Sequence, residues 1–419
     1  MMNLILVAGC WIRIFLILSV VIQFTSGFSI AGGPVHGPKA ASMGTAFVGI
    51  ADDPSAILYN PAGLGNLAGF QVYGGVTVLA PETSFTTPTG ESENTEQRYY
   101  FPPNLYLTWN PDSSDYAFGV GIFAPFGIGG RKWPDDGITR FVSTESLVAT
   151  LAINPSMAWK ITPHLFLGLG VYYLYAINDA QNQVDQSILG ASEGTFELEL
   201  DGGNWGYDFG ILYQPSDWVR LGAAFRSSVD VDLEGDAKYR RIAPILQPIF
   251  GSDSFKTDVS SELNLPPILS LGLAIFPSKK LTIGVDVEWV GWSRYDKTKI
   301  DFENEIPNSG LTDTTLYNNW KNSWLFKAGI EYLAGEKLAL RAGYAFVESP
   351  APDLTLSPAA PDADQHNITM GIGYKSGNYW LDVFYMLALY EDRTVNNSIL
   401  SGTYENIVHY FGFGVGYKF

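Results

Sequence analysis

Asp286 and Glu288 lie two residues apart in "LTIGVDVEWVGW", a spacing that puts both carboxylates on one face of a β-strand. Paired carboxylates are the raw material of general acid–base chemistry, so they are the first residues to weigh for an enzyme. The companions of such chemistry are missing. His36, His164, His366 and His409 are scattered, and none stands with a serine and a carboxylate in a recognisable arrangement. No spacing of metal ligands occurs, and the only cysteine is Cys10. "GLGNLA", from Gly63, formally satisfies a dinucleotide fingerprint, but a strand follows instead of the helix that would hold the pyrophosphate. The expectation is therefore no catalytic residue, no metal and no cofactor. Asp286 and Glu288 read as structural groups facing whatever fills the interior.

The elements that carry these carboxylates have a period of two. Leu281, Ile283, Val285, Val287 and Trp289 share one face, opposite Thr282, Gly284, Asp286 and Glu288. "HLFLGLGVYYLY", "KLALRAGYAF" and "WVRLGAAFR" repeat the pattern, with Arg341, Arg220 and Arg226 opposite greasy neighbours. A soluble sandwich would set a charged face in water. Here the second face is rich in glycine, and many greasy faces end in Trp, Tyr or Phe, as strands do where lipid meets headgroup. A chain that spans lipid without helices must close into a barrel, because every backbone group needs a partner. A formal charge of -18 argues against a nucleic-acid partner.

Residues 1–27 read as a secretory signal: Arg13, then "IFLILSVVIQF", then small residues ending at Gly27. "VAGC" around Cys10 looks like a lipoprotein box, but the apolar run follows the cysteine, whereas a lipobox ends such a run. Six tight connections begin near Asn110, Ile161, Gln214, Phe276, Leu333 and Lys375. They alternate with seven long segments near 81–97, 127–144, 180–194, 235–254, 295–319, 349–363 and 391–405. Short turns on the periplasmic side and long loops outside predict a transmembrane barrel of fourteen antiparallel strands over 69–419, with both mature ends periplasmic. So wide a barrel has a lumen to fill. Residues 28–68 have no strand pattern, and "ADDPSAILYNPAGLG" within them is too irregular to stand alone, so they are expected to fold back as a plug.

The order of "MGTAFVGIADDPSAILYNPAGL", "YAFGVGIFAPFG", "WGYDFGILYQPSDWVRLGAAFRSSVDVDLEGDA", "LPPILSLGLAIF", "VEWVGWSRYD" and "SPAPDLTLSPAAPDADQH" resembles the FadL family of outer-membrane transporters for long-chain fatty acids and other hydrophobic compounds. The resemblance implies a fourteen-stranded barrel in the bacterial outer membrane, an N-terminal hatch, and passive uptake with substrate leaving sideways through the wall. The implied partners are a hydrophobic ligand, outer-membrane lipid and, during biogenesis, the barrel assembly machinery, with the chain acting as a monomer. It places Asn60, Pro61 and Ala62 beside a kink in the third strand. "FAPFG" supplies that kink at Phe123, Pro125, Phe126 and Gly127, since proline cannot donate to a ladder and glycine packs poorly in one. The alternative is that Pro125 ends the strand at the rim. Asp52 and Asp53 are expected to cap hatch turns or to pair with Arg220, Arg226 or Arg341.

For the ligand, Ile242, Ile245, Leu246, Ile249 and Phe250 fall at helical spacing in one outer loop. With Val184, Ile188 and Leu189 of the preceding loop they are expected to form an external greasy groove, built as two short turns because Pro248 interrupts a continuous helix. Lys321 matches a basic position that the family places near its inner pocket. The other such position falls in "YAINDAQNQ", which has no base, so a neutral hydrocarbon or aromatic ligand suits the chain better than a fatty acid. An open porin, or a structural or secretion-adaptor protein on the same fold, are the rival readings.

Overall fold

The structure, a computed structural model, describes residues 35–111, 114–306 and 311–419. The expected signal segment and the first residues of the expected plug, 28–34, lie outside the described residues.

Fourteen strands form one closed antiparallel sheet. The first two are Gly69–Thr86 and Pro103–Asn110, and the third comes in two pieces, Tyr116–Phe123 and Ile128–Lys132. The fourth to sixth are long: Glu145–Thr162, Leu165–Val184 and Gly194–Ser216. The next four each comprise two segments. They are Val219–Arg226 with Val229–Arg240, then Ser254–Leu265 with Ile268–Ser278. Leu281–Val290 with Lys297–Phe302 and Thr314–Tyr317 with Ser323–Leu333 follow. Leu338–Val347, Gln365–Ser376, Tyr379–Tyr390 and Gly402–Lys418 complete the set. The last strand pairs with the first from Gln71–Lys418 to Thr86–Thr403, so the sheet has no free edge. Each expected tight connection is a strand-to-strand turn, and each expected long segment contains a loop on the opposite rim. Among the described residues no helix is long and apolar enough to cross a membrane, which leaves the strands to do so.

The outward face is apolar through the middle and aromatic at both ends. Leu169, Val171, Ile211, Leu271, Ile330 and Ile372 are exposed along the wall. Trp109, Tyr116, Trp159, Trp218, Tyr374 and Tyr379 are exposed toward the turns, and Tyr173, Trp205, Tyr207 and Trp324 toward the loops. These are the two girdles of a strand-built membrane span.

The glycine-rich inner face has a direct cause. Residues 35–68 lie inside the cylinder as short pieces, Pro38–Ser42, Ala56–Tyr59 and Pro61–Asn66. A Cβ at Gly329 would strike Met43 O; at Gly343, Gly44 N; at Gly272, Gly49 N; at Gly222, Val48 O; and at Gly168, Ala62 N. The wall is thinned to main chain so that the plug's own main chain fits against it.

Candidate functional site

Plug and wall are joined by polar contacts as well as by shape. Asn60 Nδ2 donates to Val48 O at 2.9 Å and to Ile211 O of the sixth strand at 3.0 Å. Its Oδ1 accepts from Ala62 N, which turns the chain into the Pro61–Asn66 helical turn. Val48 N donates to Asp286 at 2.8 Å. Arg220 donates to Ile50 O at 2.6 Å and Arg226 to Leu58 O at 2.8 Å. An irregular backbone buried in a barrel must find such partners, and these strands supply them.

Two groups of buried charges stiffen the interior. Lys327 pairs with Glu288 at 3.1 Å, and Ser270 donates to the same carboxylate at 2.9 Å. Asp286 and Glu288 thus serve the plug and an ion pair. The second group begins on the plug, where Lys39 contacts Asp52 at 2.8 Å and Glu331 at 3.7 Å. It continues through Arg341, which holds Glu331 and Asp382 at 2.6 Å each, and ends with Tyr73 donating to Asp382 at 3.2 Å. A cavity of about 750 Å³ opens beside it toward the short turns, lined in part by Lys39, Asp52, Asp53 and Trp380. Asp53 accepts from Ser55 N and Oγ, a capping role, whereas Asp52 meets a lysine of the plug and none of the three arginines.

The third strand breaks in the wall, not at its rim. Phe123 faces Ala152 of the fourth strand and Ile128 faces Ala149, so four residues, 124–127, stand against two. Gly127 takes a φ of 81°, open to glycine, and Thr150 stitches the break by accepting from Phe126 N and donating to Gly127 O. Past the break the strand keeps its fourth-strand partner, while pairing with the second strand covers only Leu105–Ile122 to Trp109–Phe118. Contact returns higher up, where Glu96 N donates to Lys132 O. Between lies a window whose two edges carry prolines. Pro102 O accepts from Thr77 N of the first strand, which turns the next nitrogen, that of Pro103, toward the third strand, where it has no hydrogen to give.

Aromatic rings and one histidine back this window. Phe123 and Phe126 are buried; Phe123 stacks with Tyr106 at 5.9 Å and packs near His36 at 6.5 Å. His36 Nε2 donates to Ala124 O at 2.7 Å, inside the break, and Tyr59 donates to His36 O at 2.7 Å. Ile57 covers Gly119 and Gly121 just below. The plug residue hydrogen-bonded to the break is therefore His36. Asn60, Pro61 and Ala62 sit farther round, against Gly168 and Gly210 of the fifth and sixth strands. The position expected for Asn60 is corrected accordingly.

Two further expectations change. Lys321 is exposed in the connection between the two segments of the tenth strand, where Asn319 takes a φ of 53° and the alternation is lost. The inward cation of that strand is Lys327, two below Leu325 on the face opposite Trp324 and Phe326. In the outer loops only part of the apolar set is on the surface. Ile188, Ile245 and Ile249 are exposed, while Val184, Ile242, Leu246 and Phe250 are buried and Leu189 packs against the core. Gln186 ties the two loops together through Arg241 O and Ala243 N. The turn at 244–246 and the helix Gln247–Phe250 are the two short pieces that Pro248 requires.

Comparison with known proteins places this architecture. Residues 17–419 match the family described as outer membrane protein transport protein (OMPP1/FadL/TodX). Outer membrane protein P1 of Haemophilus influenzae is 27% identical over 387 residues, covering 80% of this chain and 81% of that one. A long-chain fatty acid transport protein of Escherichia coli O6:H1 is 23% identical, covering 82% and 83%. Among solved structures, a Pseudomonas aeruginosa FadL homologue superposes with a TM-score of 0.78 at 18% identity, covering 94% of this chain and 98% of that one. The P. putida toluene transporter TodX superposes with 0.76 at 18% identity, covering 93% and 99%. A closed fourteen-stranded cylinder with two aromatic girdles and a match over nearly its whole length leads to one conclusion: the chain is an outer-membrane β-barrel belonging to the OMPP1/FadL/TodX family of transport proteins.

Proposed function

We propose that this protein is a passive channel for hydrophobic compounds, which leave the lumen sideways through the window in the third strand when the plug shifts. The observation that carries the reading is the window itself. A barrel wall normally satisfies every backbone group by continuous ladders, and a proline-edged gap at membrane depth is tolerated only where protein lines it. Here the lining is apolar, with Phe123, Phe126 and Tyr106 behind the gap and Tyr99 and Phe101 exposed on its second-strand side. An apolar solute moving from lumen to bilayer would meet hydrocarbon and rings along that route, and its partition into lipid supplies the driving force. Ile188, Ile245 and Ile249 offer a surface on which it first leaves water.

Ligand class follows from the charges. Among the described residues the inward cations already have partners: carboxylates for Lys39, Lys132, Lys327 and Arg341, plug carbonyls for Arg220 and Arg226, and Thr83 Oγ1 with Gly130 O for Arg131. At every one of these cations but Arg131, whose partners are neutral, a fatty acid headgroup would displace a carboxylate or a plug carbonyl, whereas a neutral hydrocarbon would displace nothing. Neutral compounds therefore rank ahead of long-chain fatty acids. The test is uptake of labelled toluene and labelled oleate by cells whose own transporters of this kind are deleted, with mass spectrometry of any hydrophobic molecule that copurifies in detergent. Uptake of toluene above oleate is expected; transport of neither, with the barrel folded, would overturn the reading.

A further inference from the structure

The loop between the eleventh and twelfth strands does not stay on its side of the barrel. Residues 356–363, "LSPAAPDA", are buried without interruption. Trp133 Nε1, just past the third strand, donates to Pro358 O at 2.9 Å, and Ser146 Oγ of the fourth strand donates to Ala359 O at 2.8 Å. In a ring of fourteen strands the seam between eleven and twelve lies almost diametrically opposite the seam between three and four. A loop rooted at the first and hydrogen-bonded at the second must cross the bore.

We propose that residues 348–364 are an outer stopper, fastened by Arg393, that must swing off the third and fourth strands before a compound from outside reaches the lumen. The fastening is specific. Arg393 donates five hydrogen bonds into the loop: two to Asp353 Oδ1, and one each to Ser349 Oγ, Ala351 O and Asp362 O. Asn397 adds Asp353 O and Leu356 O. A guanidinium matches so many oxygens because its planar donors need no reorganisation. The far end of the loop, by contrast, meets the third and fourth strands through neutral groups, with Trp133 donating to Pro358 O and Ser146 to Ala359 O. A charged clasp at the hinge side and neutral contacts at the tip are the arrangement of a flap. The composition of the tip agrees, since Ala, Ser and Pro fill a narrow space with little side-chain entropy to lose.

The inference rests on the channel reading for its purpose, so the experiment separates the two. Val148 lies on the fourth strand, one inward-facing position below Ser146, and is buried. In a Val148→Cys chain, a membrane-impermeant maleimide added outside should label slowly. Labelling should speed up at least tenfold when residues 351–361 are replaced by a short Gly-Ser linker, and severalfold with Arg393→Gln, which keeps the loop intact should the shortened chain fail to assemble. Equal labelling in all three chains would refute the stopper. Separately, Ser146→Cys with Ala359→Cys should lose toluene uptake on oxidation and regain it on reduction. Full uptake by the completely cross-linked chain would also refute it. Faster labelling with no uptake by any chain would leave the stopper standing and remove the channel reading.

Discussion

Two seams of the same wall differ sharply. The fifth and sixth strands pair residue by residue from Leu165–Tyr213 to Val184–Gly194 without a register shift, and Asn60 anchors the plug to the sixth. The second and third strands pair over five residues, and there the plug offers one histidine to a carbonyl that has left its ladder. Both seams are aromatic outside, and glycines face inward on the fifth and sixth strands and on the third. What separates them is backbone hydrogen bonding: Pro102, Pro103 and Pro125 gather at the weak seam, and the sixth strand has none until Pro215 at its lower end. A closed barrel is thus built with one side that holds and one that is loose.

The largest effect should come from fastening the loose side. Ile57→Cys with Gly119→Cys joins the plug to the third strand where the two already touch, and Cys10 is the sequence's only competing thiol. Oxidised cells should take up no labelled toluene, and reduction should restore it; unchanged uptake would end the comparison as a functional one. Next comes repair of the ladder. Deleting Pro125 and Phe126 removes the two-residue excess over the fourth strand, and uptake should fall roughly tenfold while the barrel still assembles, a loss of about 1.4 kcal/mol in rate terms.

Probing the strong side gives a different outcome. Gly210→Val sets a side chain against Asn60 Oδ1 and Pro61, an overpacking of roughly 1–3 kcal/mol. The plug should become sensitive to protease added from the turn side, a defect of anchoring, which limited proteolysis of purified protein reads directly. The smallest change should follow His36→Phe. It keeps a ring beside Phe123 but removes the hydrogen bond to Ala124 O, about 1 kcal/mol, so uptake should rise up to about fivefold. A fall instead would mean that His36 holds the window's working shape.

Much of this was legible because strands have a short period. Alternation located the strands, the six turns and the greasy exterior, and it placed Asp286, Glu288 and Arg341 inward. The interruption at "FAPFG" was visible as proline and glycine in a strand. The other edge, in "YYFPPN", left no such signal, because a proline pair where a strand begins reads as an ordinary loop end until its partner strand is known. Lys321 misled because it rests on the family resemblance and not on alternation, which Asn319, with a φ of 53°, interrupts just before it. Counting from Trp324 instead would have found Lys327. His36 left no signal: its contact lies 88 residues away, and an isolated histidine in irregular chain has no period. The inward course of residues 348–364 was hidden for the same reason, since 213 residues separate Ser146 from Ala359.

The bare inner ribbon limits how the plug can travel. Met43, Gly44, Val48, Gly49 and Ala62 are each lodged where a wall residue has given up its side chain. Sliding the whole segment along the axis would drive those atoms into neighbouring positions that kept theirs, so piston-like ejection is sterically barred. Movement is left to the margins, where a few residues at a time can peel from the cast that the cylinder makes of them.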